Sequence, residues 1–182
     1  MACDLTRGRK EPCKDVVGGL KAVYFTDFGD FGTVTETDDE ITDMSGTFTA
    51  YKYELKGNSS FEQAITSSRE NGTTFFEQTL NLTLKKLSKE DNKELKLLAF
   101  GRPHVAIEDY NGNVFVMGLE HGTEVTGGSI STGAAMGDLS GYTLTLAASE
   151  LKPANFVDSP TAADPFAGMA SATVTVTEGT NS

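Results

Sequence analysis

Tryptophan is absent from this chain of 182 residues, and cysteine and histidine occur only twice each. So few thiols and imidazoles argue against a disulfide framework and against a zinc centre built from four Cys and His ligands. No apolar run approaches the roughly 18 residues that a membrane-spanning helix needs. The N-terminal residues also lack the apolar stretch of a secretory signal, so we expect the chain to fold in the cytosol.

Basic residues are also few in number relative to acidic ones. The chain has 15 Lys and Arg against 26 Asp and Glu, which gives a formal net charge of −11 and a pI of about 4.6. Such a surface repels phosphate groups at long range, which argues against a protein that wraps DNA or docks on an anionic membrane. With 38% hydrophobic and 23% charged residues, the composition still suffices for the core of one domain.

The sequence also lacks an assembled catalytic or phosphate-binding motif. No serine lies in a Gly-x-Ser-x-Gly elbow, and the glycine-rich residues 126–141 contain no Gly-Lys-Ser/Thr. We therefore predict no catalytic residue, no cofactor and no metal site, and we expect His104 and His121 to be surface or turn residues. Cys3 and Cys13 are expected to be reduced thiols, with a disulfide or half of a zinc site as the alternatives.

What the sequence does have is a period-two alternation of apolar and polar residues. In residues 73–85 one face carries Thr74, Phe76, Gln78, Leu80, Leu82 and Leu84, and polar residues alternate with them. This pattern is typical of an antiparallel strand with one face in the core and one in solvent. Similar segments predict strands at residues 20–28, 47–55, 60–68, 104–109, 114–119, 142–148 and 172–177, with Asn-Gly hairpin turns at 71–72 and 111–113.

One helix is predicted between Ser88 and Gly101. Ser88 suits the N-cap, Glu90 and Asp91 lie in the first turn, and Gly101 ends the helix. Residues 60–68 fit helical spacing as well as a strand, but the hairpin signal that follows them favours the strand.

Residues 31–46 are predicted to form a polar loop. Its acidic residues are Glu36, Asp38, Asp39, Glu40 and Asp43. They lack the central glycine and helical flanks of an EF-hand, so we expect a solvated acidic loop rather than a calcium site.

About eight strands and one short helix predict an all-β fold, an antiparallel β-sandwich or barrel with the helix appended. We divide the chain into an N-terminal arm (1–17), a β domain (18–157) and a C-terminal extension (158–182). The last strand of that extension is expected to pair in the same sheet or on a neighbouring chain. Separate apolar and polar faces, exposed strand edges and arms are natural features of a subunit that closes into a ring.

Two segments resemble the tail-tube proteins of tailed bacteriophages. The first is residues 73–87, TTFFEQTLNLTLKKL, followed by the short helix. The second, residues 104–157, runs through strand, Asn-Gly turn, strand, glycine-rich connection, Asp-x-x-Gly-Tyr and an alternating strand. The resemblance covers residues 18–157 and consists of patterns of turns and strands.

The resemblance implies a virion structural protein and not an enzyme. In that family a β-sandwich or barrel protomer forms hexameric rings, which stack into a hollow tube and join other tail or connector proteins. DNA and ejected proteins would pass through without specific binding, and no membrane is involved. The protein would assemble in the host cytoplasm and reside in the phage tail. By position, residues 31–46 would lock one ring on the next, and Glu77 is a candidate for the lumen.

Two alternatives stay open. A head–tail connector or tail-terminator ring would use the same protomer. A carbohydrate-binding or adhesin module usually shows clustered exposed aromatic residues. Tyr51 and Tyr53 are the nearest approach to such a cluster, and they also fit one packed face of a strand. The oligomeric mass separates a ring-forming subunit from a monomeric binding module.

Overall fold

The computed structural model describes residues 5 and 7–179. Its one described helix, α1, spans Lys89–Phe100. No helix in this part of the chain is both long and apolar enough to cross a membrane. The predicted all-β class with one short helix is confirmed. The described strands are β1 (Leu20–Thr26), β2 (Val34–Thr37), β3 (Glu40–Met44), β4 (Gly46–Glu54), β5 (Ser60–Ser68), β6 (Thr73–Lys85), β7 (His104–Asp109), β8 (Val114–Met117), β9 (Glu124–Ser131), β10 (Gly141–Glu150), β11 (Asn155–Val157) and β12 (Ala172–Glu178).

The strands form two sheets that pack face to face. One has eight strands in the order β12-β4-β1-β7-β8-β11-β3-β2, and the other has four in the order β5-β6-β10-β9. Most neighbours are antiparallel, but β12 pairs with β4 and β11 pairs with β3 in parallel. The fold is therefore the predicted sandwich, although its larger sheet mixes parallel and antiparallel pairs. The pairing of the described strands does not show the alternative, a closed barrel.

The four-stranded sheet covers one face of the larger sheet through a shared apolar core. On β6, Gln78, Leu80 and Leu82 are buried and alternate with more exposed residues, which confirms the predicted two faces. The two leucines pack with Val23 and Ile107 of the larger sheet. Burial of a leucine-sized side chain contributes roughly 1.5–3 kcal/mol, so this face fixes the register of the strand.

The opposite face of the eight-stranded sheet has a second core. Tyr24, Ile41 and Phe48 pack there with Phe166 and Met169, which follow β11 in the chain. After them the whole of β12 pairs with residues 46–52 of β4, so the terminal strand lies in the same sheet, one of the two expected alternatives. Residues 158–179 thus cover this core and supply an edge strand.

The prediction of a polar loop at residues 31–46 is wrong, because β2 and β3 form a hairpin there. Its turn residues Asp38 and Asp39 have φ values of 53° and 63°. Two left-handed residues are typical of a type I′ turn, and Asp adopts this conformation more readily than most residues. Ile41 and Met44 of β3 are buried in the second core. The surrounding acidic residues obscured this short apolar pattern in the sequence.

The glycine-rich connection also contains a strand, β9, which the sequence pattern did not predict. Its pairing with β10 shifts register between Thr145 and Leu146, so glycines do lie beside a β-bulge as expected. A Cβ atom on Gly128 would collide with the carbonyl oxygen of Thr143. Glycine here allows two strands to approach closely and does not end the strand.

The helix α1 begins and ends as predicted. The Ser88 hydroxyl accepts a hydrogen bond from the Asp91 amide at 3.0 Å, and the Gly101 amide donates to the Leu97 carbonyl at 3.0 Å. Leu95 is buried, and Leu98 packs against the core between the sheets. The helix contacts β9 and so covers the core beside that edge of the four-stranded sheet.

Candidate functional site

The four-stranded sheet turns one face away from the core, which we call its outer face. Small hydroxyl-bearing side chains dominate it, and Phe75 is its largest apolar residue. Such a face suits contact with water better than packing against an apolar partner. Strand pairing assigns to the outer face Ser60, Glu62, Ala64, Thr66, Ser68, Thr73, Phe75, Glu77, Thr79, Asn81, Thr83, Lys85, Glu124, Ser129, Ser131, Thr143, Thr145, Ala147 and Ser149.

The charge on the outer face is mainly acidic. Glu62, Glu77 and Glu124 are exposed on it. Among the described residues of this face Lys85 is the one basic side chain, and its ammonium group donates to the Lys56 carbonyl at 2.9 Å. Glu77, the candidate lumen residue, accepts a hydrogen bond from the Thr66 hydroxyl at 3.3 Å. An acidic, hydroxyl-rich face repels phosphate and offers it few donors with a positive charge.

The two edges of this sheet, β5 and β9, each pair on one side only among the described strands. Three successive antiparallel pairings separate them, so β5 and β9 run in opposite directions. Ile65 on β5 is 70% exposed and Ile130 on β9 is 64% exposed. Long open edges with exposed isoleucines are ready to pair with another strand.

Each edge has further apolar side chains beside it. On the β5 side the rings of Phe61, Phe115 and Phe156 form a row, with centroids 6.2 Å and 4.6 Å apart, and Phe156 is partly exposed. On the β9 side, α1 exposes Leu97 and Phe100. Two different apolar surfaces therefore flank the two edges of the sheet, one on each side.

The five acidic residues predicted as a ring-stacking loop have different roles in the structure. Glu36 forms an ion pair with Lys152 at 2.6 Å. Asp43 accepts hydrogen bonds from the hydroxyl and amide of Ser171, which hold the pKa of its carboxyl below the usual range. These two carboxylates therefore brace the hairpin against its neighbours.

The other three acids lie at or beside the hairpin tip. Asp38 and Asp39 form the exposed turn itself, and Glu40 is half-buried at the start of β3. The structure thus brings the tip acids together, and it separates them from Glu77 on the other sheet. We call Asp38 and Asp39 the hairpin tip.

The hairpin tip and the N-terminal arm lie at opposite ends of the larger sheet. Strand pairing makes β3 and β7 parallel in direction, so the turn before β3 and the turn after β7 point oppositely. Asn111 in the latter turn accepts from the Val17 amide at 3.0 Å and donates to the Val17 carbonyl at 2.8 Å. The arm that ends there carries four basic residues, Arg7, Arg9, Lys10 and Lys14, all exposed. Glu11 and Asp15 lie among them, so its described residues have an excess of two positive charges, four basic minus two acidic.

His104 is not the surface or turn residue that we expected. It is 3% exposed on β7, and its ring stacks between those of Phe28 and Phe31. Its Nδ1 lies 2.7 Å from the Gly118 carbonyl oxygen, and its Nε2 accepts from the Gly29 amide at 3.3 Å. Burial holds the pKa of His104 below its usual value, so the imidazole is a neutral packing residue. His121 does lie in an exposed turn, as expected.

The remaining sequence candidates are structural or exposed. Tyr53 packs edge-on against Phe25, with ring centroids 5.2 Å apart, and burial raises its pKa to about 12. Tyr51 lies on the same face of β4 and is 44% exposed. Cys13 has an exposed free thiol, and Cys3 lies outside the described residues.

The open edges are the feature that sequence reasoning located least well. The alternating pattern of residues 60–68 predicted β5. Gly127 and Gly128 interrupt any such pattern in β9, so the sequence contains no signal for a strand at the second edge.

Comparison of the chain with protein-family models, with curated protein sequences and with solved structures finds no match in any of the three.

Proposed function

We propose that this protein is the ring-forming subunit of a phage tail tube, a virion structural protein and not an enzyme. The observation that carries the proposal is a four-stranded antiparallel sheet with two open edges of opposite direction and a polar, acidic outer face. The sequence resemblance of residues 18–157 points to the same role.

The open edges match each other after rotation. Because β5 and β9 run in opposite directions, rotation about an axis along the strands brings β9 of one copy beside β5 of the next as an antiparallel pair. Because the sheet has an even number of strands, strand direction keeps alternating across the junction between one copy and the next. Head-to-tail contacts of this kind generate a closed ring when the rotation between copies closes, and closure removes both exposed edges.

Apolar side chains beside the edges would enlarge this contact. Ile65 and Phe156 flank the β5 edge, and Leu97 and Phe100 flank the β9 edge. Exposed apolar patches commonly mark protein interfaces. Two different patches on opposite sides favour a head-to-tail contact over a two-fold dimer, in which one patch meets itself.

The outer face would then line the hole of the ring. Glu62, Glu77 and Glu124 would make the lumen acidic in every subunit, and the threonine and serine hydroxyls would keep it wet. A negative lumen repels the phosphate backbone, so DNA could slide without sticking. This role also explains why the longest strand of the fold exposes a polar face.

The two ends of the subunit carry groups that suit stacking of rings. Asp38 and Asp39 form an acidic tip at one end, and the basic arm leaves the other end at Val17. In a stack, the tip of one ring would face the arms of the next. Opposite charges across such an interface favour the correct register and orientation.

Mass photometry with negative-stain electron microscopy tests the ring proposal. We expect the wild type to form rings with a central hole. Ile65→Lys places a charge on the open β5 edge and should shift the mass to that of a monomer, since edge lysines block strand pairing. Asn81→Lys is the matched control, because Asn81 is exposed on the outer face of the internal strand β6 and lies on neither open edge.

The outcome depends on the comparison between these two variants. Rings in the wild type and in Asn81→Lys, but not in Ile65→Lys, support edge pairing. Equal assembly of Ile65→Lys and the wild type contradicts it. A monomeric wild type that binds glycans in a screen would favour the binding-module alternative.

A further inference from the structure

Three side chains that could bind a metal meet where the turn after β8 approaches the end of β10. They are Glu120, His121 and Glu150, and one potential ligand atom from each lies within 4.8 Å of the others. Glu120 and His121 are exposed and Glu150 is buried. None of the three belongs to the outer face, to the edge strands β5 and β9 or to the hairpin tip.

Glu150 is held in a fixed position. It is 4% exposed, and its Oε1 accepts hydrogen bonds from the amides of Glu120 at 3.2 Å and His121 at 2.9 Å. Its Oε2 lies 2.9 Å from Nδ1 of His121. A buried carboxylate is costly unless it is paired, so these contacts orient both the carboxylate and the imidazole before any ligand arrives.

The distance between these two atoms suits a shared metal ion as well as a hydrogen bond. Zinc–nitrogen and zinc–oxygen bonds are about 2.0–2.2 Å long. Two ligands of one tetrahedral ion are therefore separated by roughly 3.3 Å, close to the observed separation of Nδ1 and Oε2. A small movement of the exposed His121 ring makes room for the ion.

A second observation points to a ligand at this place. A pocket of about 10 Å³, enough for about one water molecule, is bordered by Glu120, Glu150 and Asn155. Asn155 is 3% exposed, and its Nδ2 has no hydrogen-bond partner among the described residues. A buried amide donor beside two carboxylates calls for an oxygen acceptor, because a donor left unpaired in the interior has lost its hydrogen bonds to water without replacement.

We propose that Glu120, His121 and Glu150 bind a divalent transition-metal ion of the zinc class. His121 Nδ1 and one oxygen from each carboxylate supply three ligands, and a water that accepts from Asn155 Nδ2 supplies the fourth. Two carboxylates balance the charge of the ion, and an imidazole with two carboxylates suits Zn²⁺ better than Ca²⁺ or Mg²⁺. The Lys152 ammonium group beside the pocket is neutralised by its ion pair with Glu36.

The ion would join the two sheets. Glu120 and His121 follow β8 of the larger sheet, and Glu150 ends β10 of the smaller one. A bound ion therefore braces the end of the sandwich, and it should raise the melting temperature by mass action. The inference concerns the single subunit and does not depend on ring formation.

Zinc titration by calorimetry tests the site in the full chain, without an affinity tag. Cys3→Ser and Cys13→Ser are included in every protein so that thiols do not bind the ion. We compare this parent with His121→Ala and Glu120→Gln, two exposed positions whose replacement leaves the core intact. Glu124→Gln is the control, because Glu124 is exposed and close to His121 in sequence but is not one of the three candidate ligands. Absorption of bound Co²⁺ in the visible range reports tetrahedral geometry.

We expect the parent to bind one Zn²⁺ per chain and to melt at a higher temperature with zinc. His121→Ala and Glu120→Gln should each weaken binding by more than about tenfold, since loss of a residue that only hydrogen-bonds to a metal ligand already costs about 10–100-fold. Glu124→Gln should bind like the parent. Absence of stoichiometric binding in the parent, or unchanged affinity in His121→Ala, would overturn the proposal.

Discussion

The phenolic oxygen of Tyr24 on β1 donates a hydrogen bond to the carboxylate of Glu108 on β7, and the two oxygens are 2.9 Å apart. Both residues are buried, and Lys21 forms an ion pair with the other carboxylate oxygen. Burial first, and then the bond to Glu108, holds the pKa of Tyr24 well above its usual value. A phenol–carboxylate bond between two internal strands of the larger sheet thus fixes the position of β1 against β7.

The Tyr24–Glu108 bond makes stability sensitive to alkaline pH. An unfolded tyrosine loses its phenolic proton at about pH 10, whereas Tyr24 in the folded state keeps it to higher pH. The free energy of unfolding therefore falls as pH rises above about 10. Tyr24→Phe should lower stability by about 1–3 kcal/mol at neutral pH and reduce the alkaline loss. Urea titrations at several pH values measure both effects. Tyr51→Phe, at an exposed ring, should match the wild type, and an equal alkaline loss in Tyr24→Phe would contradict the assignment.

His104 should make stability sensitive to acid. Because burial lowers its pKa, the unfolded chain binds a proton at this residue before the folded chain does. Stability is therefore complete above about pH 6.5 and falls as pH decreases below it. We expect the melting temperature to fall between about pH 7.5 and about pH 5, and His104→Gln to remove part of that fall. A fall of the same size in His104→Gln would show that other groups cause it.

The two faces of β6 predict opposite outcomes for neighbouring substitutions. Leu82 is 2% exposed, so Leu82→Asp buries an unpaired charge at a cost of several kcal/mol, a large share of a typical stability of about 5–15 kcal/mol. Asn81→Asp adds the same charge on the outer face and should change stability by less than about 0.5 kcal/mol. Circular dichroism melts measure both. An unchanged melting temperature for Leu82→Asp would mean that the faces are reversed.

The hairpin tip allows its charge to be removed without loss of the fold. Asn-Gly is the preferred pair for a type I′ turn, so Asp38→Asn with Asp39→Gly should preserve β2 and β3. If the tip acids bind one ring to the next in a stack, this variant should form rings but few or short tubes in electron micrographs. Glu90→Gln with Glu94→Gln removes two charges from α1 as a control and should leave tube length unchanged. Tubes of normal length from the tip variant would exclude a stacking role for these acids.

A tip substitution is a sharper test than deletion of the whole segment. Ile41 and Met44 are fully buried in the second core, and Asp43 binds Ser171. Deletion of residues 35–43 would therefore remove Ile41 from the core and most of β2 and β3, leave Met44 without its strand, and unfold part of the sheet. The same contacts make Glu36 and Asp43 poor choices for testing stacking, because their loss would also weaken the fold.

Sequence periodicity predicted the elements whose pattern is long and uninterrupted. The alternation in β6, the Ser88 cap of α1 and the Asn111–Gly112 turn all have local physical causes, and each was located correctly. Strands were missed where local composition opposed the tertiary structure. Ile41 and Met44 are surrounded by acids, and Gly127 and Gly128 weaken β9 on propensity alone, yet pairing with β10 holds it in the sheet.

Contacts between distant residues could not be predicted. His104 is buried because Phe28 and Phe31 stack on both sides of it, and neither contact leaves a signal near His104 in the chain. The meeting of Glu120 and His121 with Glu150 likewise depends on how the two sheets pack. Glu77 could be assigned to the polar face from period two, but only the pairing of four strands reveals the acidic surface to which it belongs.

Cryo-electron microscopy of the assembled protein tests the proposed ring directly. We expect a closed ring in which β9 of each subunit pairs antiparallel with β5 of the next and Glu77 faces the hole. A ring lined by the eight-stranded sheet would contradict it. A protein that stays monomeric at its highest soluble concentration would contradict it as well.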